Sequence, residues 1–158
     1  MHHYVIALGS NQPHGRHGPP RRVLLAALDR LGLKVTAQSP IVGSAPLGPS
    51  QRYYANAVAQ VETAMVPEEL LCHLKGIEAE FGRRPCKRWG SRVLDLDIIL
   101  WSGGFWASPQ LTIPHPAFRV RDFVLAPLTS IVPRWSDPAT GLTVRQLKAR
   151  LDRRRPRN

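Results

Sequence analysis

Cysteine is scarce in this chain: Cys72 and Cys86 are the two it has among 158 residues. That is too few for a disulfide framework or a cysteine-built zinc site. No apolar run approaches the ~20 residues a membrane-spanning helix needs. Met1-His2-His3-Tyr4 leads directly into an apolar stretch, without the anatomy of a secretory leader, so the expected setting is the reducing cytoplasm. There are no internal repeats, and 15 Pro and 12 Gly fall without the period of collagen. The phosphate-cradling pattern G-x-x-x-x-G-K-[ST] is missing, so a nucleotide has to be held some other way. Acid is also in short supply: 11 Asp and Glu against 22 Lys and Arg, a net charge of +11.

What remains is a soluble globular composition, 43% hydrophobic and 21% charged, in a length that suits one domain with its own core. The excess charge is concentrated. From Arg145 onward, seven basic residues face a single acid, Asp152, which makes residues 151–158 a basic, solvated tail on a domain spanning 1–150. A second cluster, Arg83, Arg84, Lys87, Arg88 and Arg92, contains no acid and stands just before an acidic strand.

Periodicity places the elements. His3–Leu8 reads as a buried strand ending in the turn signal Gly9-Ser10-Asn11. Val23, Leu24, Ala27, Leu28 and Leu31 have helical spacing, with Gly32 as terminator. Strands follow at 33–38 and 54–62, and Tyr54, Asn56, Val58 and Gln60 share one face of the second. Pro67-Glu68-Glu69 suits a helix N-terminus, with Leu70, Leu74, Ile77 and Phe81 as its apolar stripe and Gly82 as its stop. A strand over 93–101, an extended Leu111–Pro116 segment, and helices over 123–131 and 142–151 complete an α+β domain with helices packed on a mainly antiparallel sheet.

The pattern Asp95-Leu96-Asp97 carries the clearest chemistry. Residues two apart in a strand share a face, so both carboxylates point one way while Leu94, Leu96 and Ile98 enter the core. Such an all-oxygen pair suits Mg²⁺, which keeps waters and borrows phosphate oxygens; pairing with nearby arginines is the plainer alternative. The guanidinium-rich loop ahead of it could hold a polyphosphate. Tyr54, Trp89 and Phe123 offer faces for a flat heterocycle, and Asn56 offers a donor and an acceptor. A basic nucleic-acid-binding module and a metal-dependent phosphoesterase are the competing readings of the same features.

Several motifs together go further. Ala7-Leu8-Gly9-Ser10-Asn11, Pro46-Leu47-Gly48-Pro49, Tyr54-Ala55-Asn56-Ala57, Arg88-Trp89-Gly90-Ser91-Arg92, Leu94-Asp95-Leu96-Asp97-Ile98 and Leu111-Thr112-Ile113-Pro114-His115-Pro116 resemble, in order and spacing, the 6-hydroxymethyl-7,8-dihydropterin pyrophosphokinase family of folate biosynthesis. The resemblance implies a ferredoxin-like fold and transfer of pyrophosphate from ATP to the pterin hydroxymethyl group, releasing AMP. It implies two Mg²⁺ ions on Asp95 and Asp97, and Arg83 and Arg92 as catalytic arginines. It places the pterin between Tyr54 and Phe123, beside Asn56, Ser44, Ala45, Leu47 and the lid residue Trp89. For ATP it implies Lys75, Glu78, Arg84, Arg88, Arg92, Ile98, Thr112, His115 and Arg121, with either Arg83 or Arg84 reaching phosphate. It implies a monomer with these two substrates as partners, and no nucleic acid or membrane. Departures are Lys75 in place of a common Gln, Pro116 in place of a common aromatic, and Ser44-Ala45 in place of Thr-Pro.

Overall fold

The computed structural model of the chain describes residues 1–44, 54–82 and 93–154. Strand β1 (His2–Ser10) leads to helix α1 (Pro20–Arg30), then β2 (Lys34–Gln38), β3 (Val42–Ser44) and β4 (Tyr54–Thr63). Helix α2 (Pro67–Glu80) and β5 (Asp95–Trp101) follow, then the two-residue strands β6 (Trp106–Ala107) and β7 (Thr112–Ile113), a 3-10 turn (Phe118–Val120), α3 (Asp122–Ile131) and α4 (Val144–Arg154). The main sheet runs β2-β4-β1-β5, and every pairing among the described strands is antiparallel. The order strand–helix–strand–strand–helix–strand, with β1 and β4 central, is the ferredoxin-like arrangement. β3 continues the edge that β2 starts: β2 pairs with 59–62 of β4 and β3 with 54–56. Between them Ser39 donates its N–H to the Val58 carbonyl, and its hydroxyl accepts from the Val58 N–H, both at 2.9 Å.

The helices form where their spacing predicts. Val23, Leu24, Ala27 and Leu31 line the buried side of α1, and Gly32, at φ +64°, takes the left-handed conformation that ends it. In α2, Pro67 occupies the first turn and Glu69 Oε1 accepts the Val66 N–H at 3.2 Å, one half of a capping box. These two helices cover one sheet face, burying Tyr4, Ile6, Leu8, Ala55, Ala57, Ala59, Val61, Leu94, Leu96 and Ile98. The Tyr4 hydroxyl donates to the Met65 carbonyl at 2.7 Å, tying β1 to the turn before α2.

Among the described residues the opposite face is covered only in part. Val5, Val58, Ile99 and Leu100 pack there against Val124, Leu125 and Leu128 of α3 and Val144 and Leu147 of α4. Ile99 and Leu100 share this face because β5 is bulged: Val5 pairs with Leu100 and Ile6 with Ile98, leaving Ile99 without a partner on β1. The freed Ile99 carbonyl accepts the His115 N–H at 3.0 Å, just after the cis peptide Ile113–Pro114.

Element boundaries moved in the expected way. The strand read as 93–101 begins at Asp95, and the last helix starts at Val144 and runs to Arg154, so Leu151–Arg154, assigned to the tail, continue α4. β3, β6 and β7 are two or three residues long and carry too short a period to be read from sequence. Among the described residues no helix is long and apolar enough to cross a membrane.

Candidate active site

Where α3 leaves the sheet uncovered, a cleft of about 450 Å³ opens at one end of β1, β4 and β5. Its floor is Ala7–Asn11, Asn56, Ala57, Asp95, Asp97 and Ile99, and its rim is Tyr54, Arg121, Phe123 and Val124. Strand register sets the floor. Gly9 pairs with Asn56 on one side and Asp95 on the other; Ala7 pairs likewise with Val58 and Asp97. Asn56, Gly9 and Asp95 therefore form one lateral row. With strands ~4.8 Å apart, the backbones that carry the amide and the first carboxylate stand ~10 Å from each other. Gly9 keeps the row open: a Cβ there would lie 3.3 Å from Asn56 Oδ1.

Asp95 and Asp97 share the cleft side of β5, while Leu96 and Ile98 between and beyond them are buried in the opposite core. Among the described residues no three of His, Cys, Asp and Glu cluster to hold a metal. Two carboxylates side by side are still a fitting donor set for Mg²⁺, which takes hard oxygen ligands and completes its shell with water and substrate phosphate. His115 sits close enough to feel Asp97 and Arg121. Burial lowers its pKa, and Arg121 pushes it further down against the upward pull of Asp97. The His115 Nδ1 accepts the Ala117 N–H at 3.1 Å, which leaves the proton of the neutral ring on Nε2.

Tyr54 and Phe123 are both exposed, large apolar rings on the rim, Tyr54 at the start of β4 and Phe123 in the first turn of α3. The Arg121 guanidinium lies over the Phe123 ring, 5.7 Å from its centroid. Aromatic faces open at a cleft mouth are available to stack on a flat ligand.

The structure thus brings together Asp95, Asp97, Tyr54, Asn56, Arg121 and Phe123, with His115 beside Asp97. Ile98 points its side chain into the core on the far side of the sheet. Glu78 is buried on the same stripe of α2 as Leu74 and Ile77, whereas Lys75 is exposed on that helix and Thr112 is exposed on β7. Ser44 is placed by its backbone at the end of β3. Ala45, Leu47, Arg83, Arg84, Arg88, Trp89 and Arg92 lie outside the described residues. Gly9, Ser10, Asn11 and Ile99 line the cleft without having been assigned a role; the Gly-Ser-Asn signal at the end of β1 was the available clue.

Comparison with known proteins finds relatives over most of the chain. The family model described as 7,8-dihydro-6-hydroxymethylpterin-pyrophosphokinase (HPPK) matches residues 5–133. The 2-amino-4-hydroxy-6-hydroxymethyldihydropteridine pyrophosphokinase of a Synechocystis strain is 38% identical over 155 residues, covering 96% of this chain and 77% of that one. Its Pseudomonas aeruginosa namesake is 41% identical over 133 residues, covering 81% and 79%. The folic acid synthesis protein fol1 of Pneumocystis carinii is 37% identical over 143 residues; the match takes in 88% of this chain and 19% of that much longer one. Among solved structures, Plasmodium falciparum HPPK-DHPS with pteroate superposes with a TM-score of 0.74 at 13% identity, over 94% of this chain and 44% of that one. The chain thus spans less than half of that protein, and at this identity the likeness speaks for the fold alone.

Proposed function

Because this chain belongs to the 7,8-dihydro-6-hydroxymethylpterin-pyrophosphokinase family, we propose that the cleft on its half-covered sheet face is where the pterin and ATP meet. The protein is a pyrophosphokinase of folate synthesis. In the proposed arrangement the pterin ring stacks between Tyr54 and Phe123, and Asn56 hydrogen-bonds its polar edge, aided by the backbone near Ser44, Ala45 and Leu47. That places the hydroxymethyl group toward Asp95 and Asp97. Two Mg²⁺ ions held there with ATP would draw charge off the phosphates.

The chain's own contribution is orientation and charge. Asn56 and the two rings fix the alcohol so that its oxygen meets the β-phosphorus in line with the bond to the departing AMP. Arg121 contributes positive charge at the rim, and the neutral His115 offers its Nε2–H to an ATP oxygen. Arg83 or Arg84, Arg88 and Arg92 would meet the phosphates and Trp89 would close over the pterin. Lys75, Glu78, Ile98 and Thr112 are assigned to the nucleotide side; Glu78 and Ile98, being buried, would act there through packing or backbone groups. The enzyme is taken to work as a monomer in the cytoplasm, with a domain over 1–150 and a tail beyond it that has no part in the chemistry.

The observation that carries this reading is the row Asn56–Gly9–Asp95, which puts an amide and a carboxylate on the two strands flanking β1, in one cleft that Tyr54 and Phe123 also line. Incubation with ATP, Mg²⁺ and hydroxymethyl-dihydropterin tests it. AMP should form one for one with pterin pyrophosphate. Release of ADP or inorganic phosphate without pterin would identify a hydrolase instead.

A further inference from the structure

We propose that the segment from Asp137 to Lys148 is a positioning part of the catalytic cleft, acting through two ionic ties that bracket Arg121. The inference rests on the reading that Arg121 and Phe123 face the substrates. Both belong to a short stretch between the 3-10 turn Phe118–Val120 and the first turn of α3, and Arg121 itself is extended, at φ −105° and ψ 103°. Phe123 is 52% exposed, so packing cannot fix its ring; the backbone beneath it has to be held by its neighbours.

Two residues before Arg121, Arg119 grips Asp137 through Nε and Nη2 at 2.5 and 2.8 Å. Asp137 is fully buried and also accepts the Thr140 hydroxyl at 2.8 Å and the Ala139 N–H at 3.1 Å. One residue after Arg121, Asp122 pairs with Lys148 of α4 at 3.2 Å. Lys148 is held in place by its helix, whose Val144 and Leu147 are buried against Val124, Leu125 and Leu128; its ammonium also meets Asp152, one turn along, at 2.6 Å. The family match ends at residue 133, so both anchors, Asp137 and Lys148, come from beyond it. A displacement of ~1 Å in a group that orients substrate can cost about 100-fold in rate, so ties of modest strength matter here more than on an ordinary surface.

The Asp122–Lys148 tie can be cut without emptying the core. In the full chain, Lys148→Met and Asp122→Asn should each raise the pterin KM about 3- to 10-fold, with a smaller change in kcat. The double variant should be no worse than either single one, as for two ends of one contact. Lys148→Arg should restore the KM, and Asp152→Asn, which also breaks a Lys148 pair but leaves the rim alone, should not move it. Wild-type KM in folded Lys148→Met and Asp122→Asn, additive losses in the double variant, or equal losses from Asp152→Asn would overturn the proposal while leaving the proposed reaction intact. A wild-type chain that forms no AMP would bring down the proposed reaction and this inference together.

Discussion

In the proposed arrangement Asp97 and Phe123 do separable jobs in the cleft, and their substitution should separate them. With Asp97 set toward phosphate and metal in that arrangement, Asp97→Asn should lower kcat by several orders of magnitude yet leave the pterin dissociation constant within about 3-fold. Calorimetry alongside an AMP assay checks both halves. Phe123→Ala removes one face of a stacking site, which is worth ~1–3 kcal/mol, and should weaken pterin by about 5- to 150-fold with ATP-analogue binding little changed. Both residues were legible in the sequence, Asp97 from the one-face spacing of the acids and Phe123 from the family pattern. Gly9 was not, because its importance lies in what a side chain would crowd across the sheet, the Asn56 amide oxygen 3.3 Å from where a Cβ would stand.

Elements were legible where an apolar period ran long enough. The stripe Leu70, Leu74, Ile77 announced α2, and all three are buried. Leu74→Ala should therefore cost ~2–5 kcal/mol of stability, measured as a lower urea midpoint at unchanged slope. The bulge in β5 was not legible, since three consecutive apolar residues, Ile98, Ile99 and Leu100, read equally as a strand buried on both faces. Its effect is to let one strand serve two phases. Asp95, Asp97 and Ile99 face the cleft side, and Leu100 joins them there only because Ile99 is extra, which in turn returns Trp101 to the first core. The run from Phe118 to Phe123 was similarly hidden, its conformation being fixed by partners at positions 137 and 148.

At the scale of the whole molecule, two buried groups tie stability to pH, one at each end of the range. Burial alone would push the Asp137 carboxyl up, but the bonds from Arg119, Thr140 and the Ala139 backbone outweigh it and hold it below the ordinary value of 3.8. Its stabilisation is present above that value and is lost as pH falls through the lower, folded one. The Tyr4 hydroxyl is pushed up to about 12, first by burial and then by Glu69, so its stabilisation is complete below pH 10 and drains away between 10 and about 12. Urea titrations should find Asp137→Asn blunting the acid limb and Tyr4→Phe the alkaline one. Ending the chain at Arg154 should leave turnover unchanged in the AMP assay, because α4 and Lys148 are retained. The α+β layout on a mainly antiparallel sheet followed from the residues and the ferredoxin-like arrangement from the family resemblance, whereas the incomplete cover of the second sheet face by the described elements did not, because only the packed positions of α3 and α4 determine how much of that face they reach. That shortfall has an energetic consequence. In the proposed arrangement, ligands seated on the strands that the described helices leave open would stand in for a further layer of polypeptide, so the cargo would become a structural component of its own catalyst for as long as it stays bound.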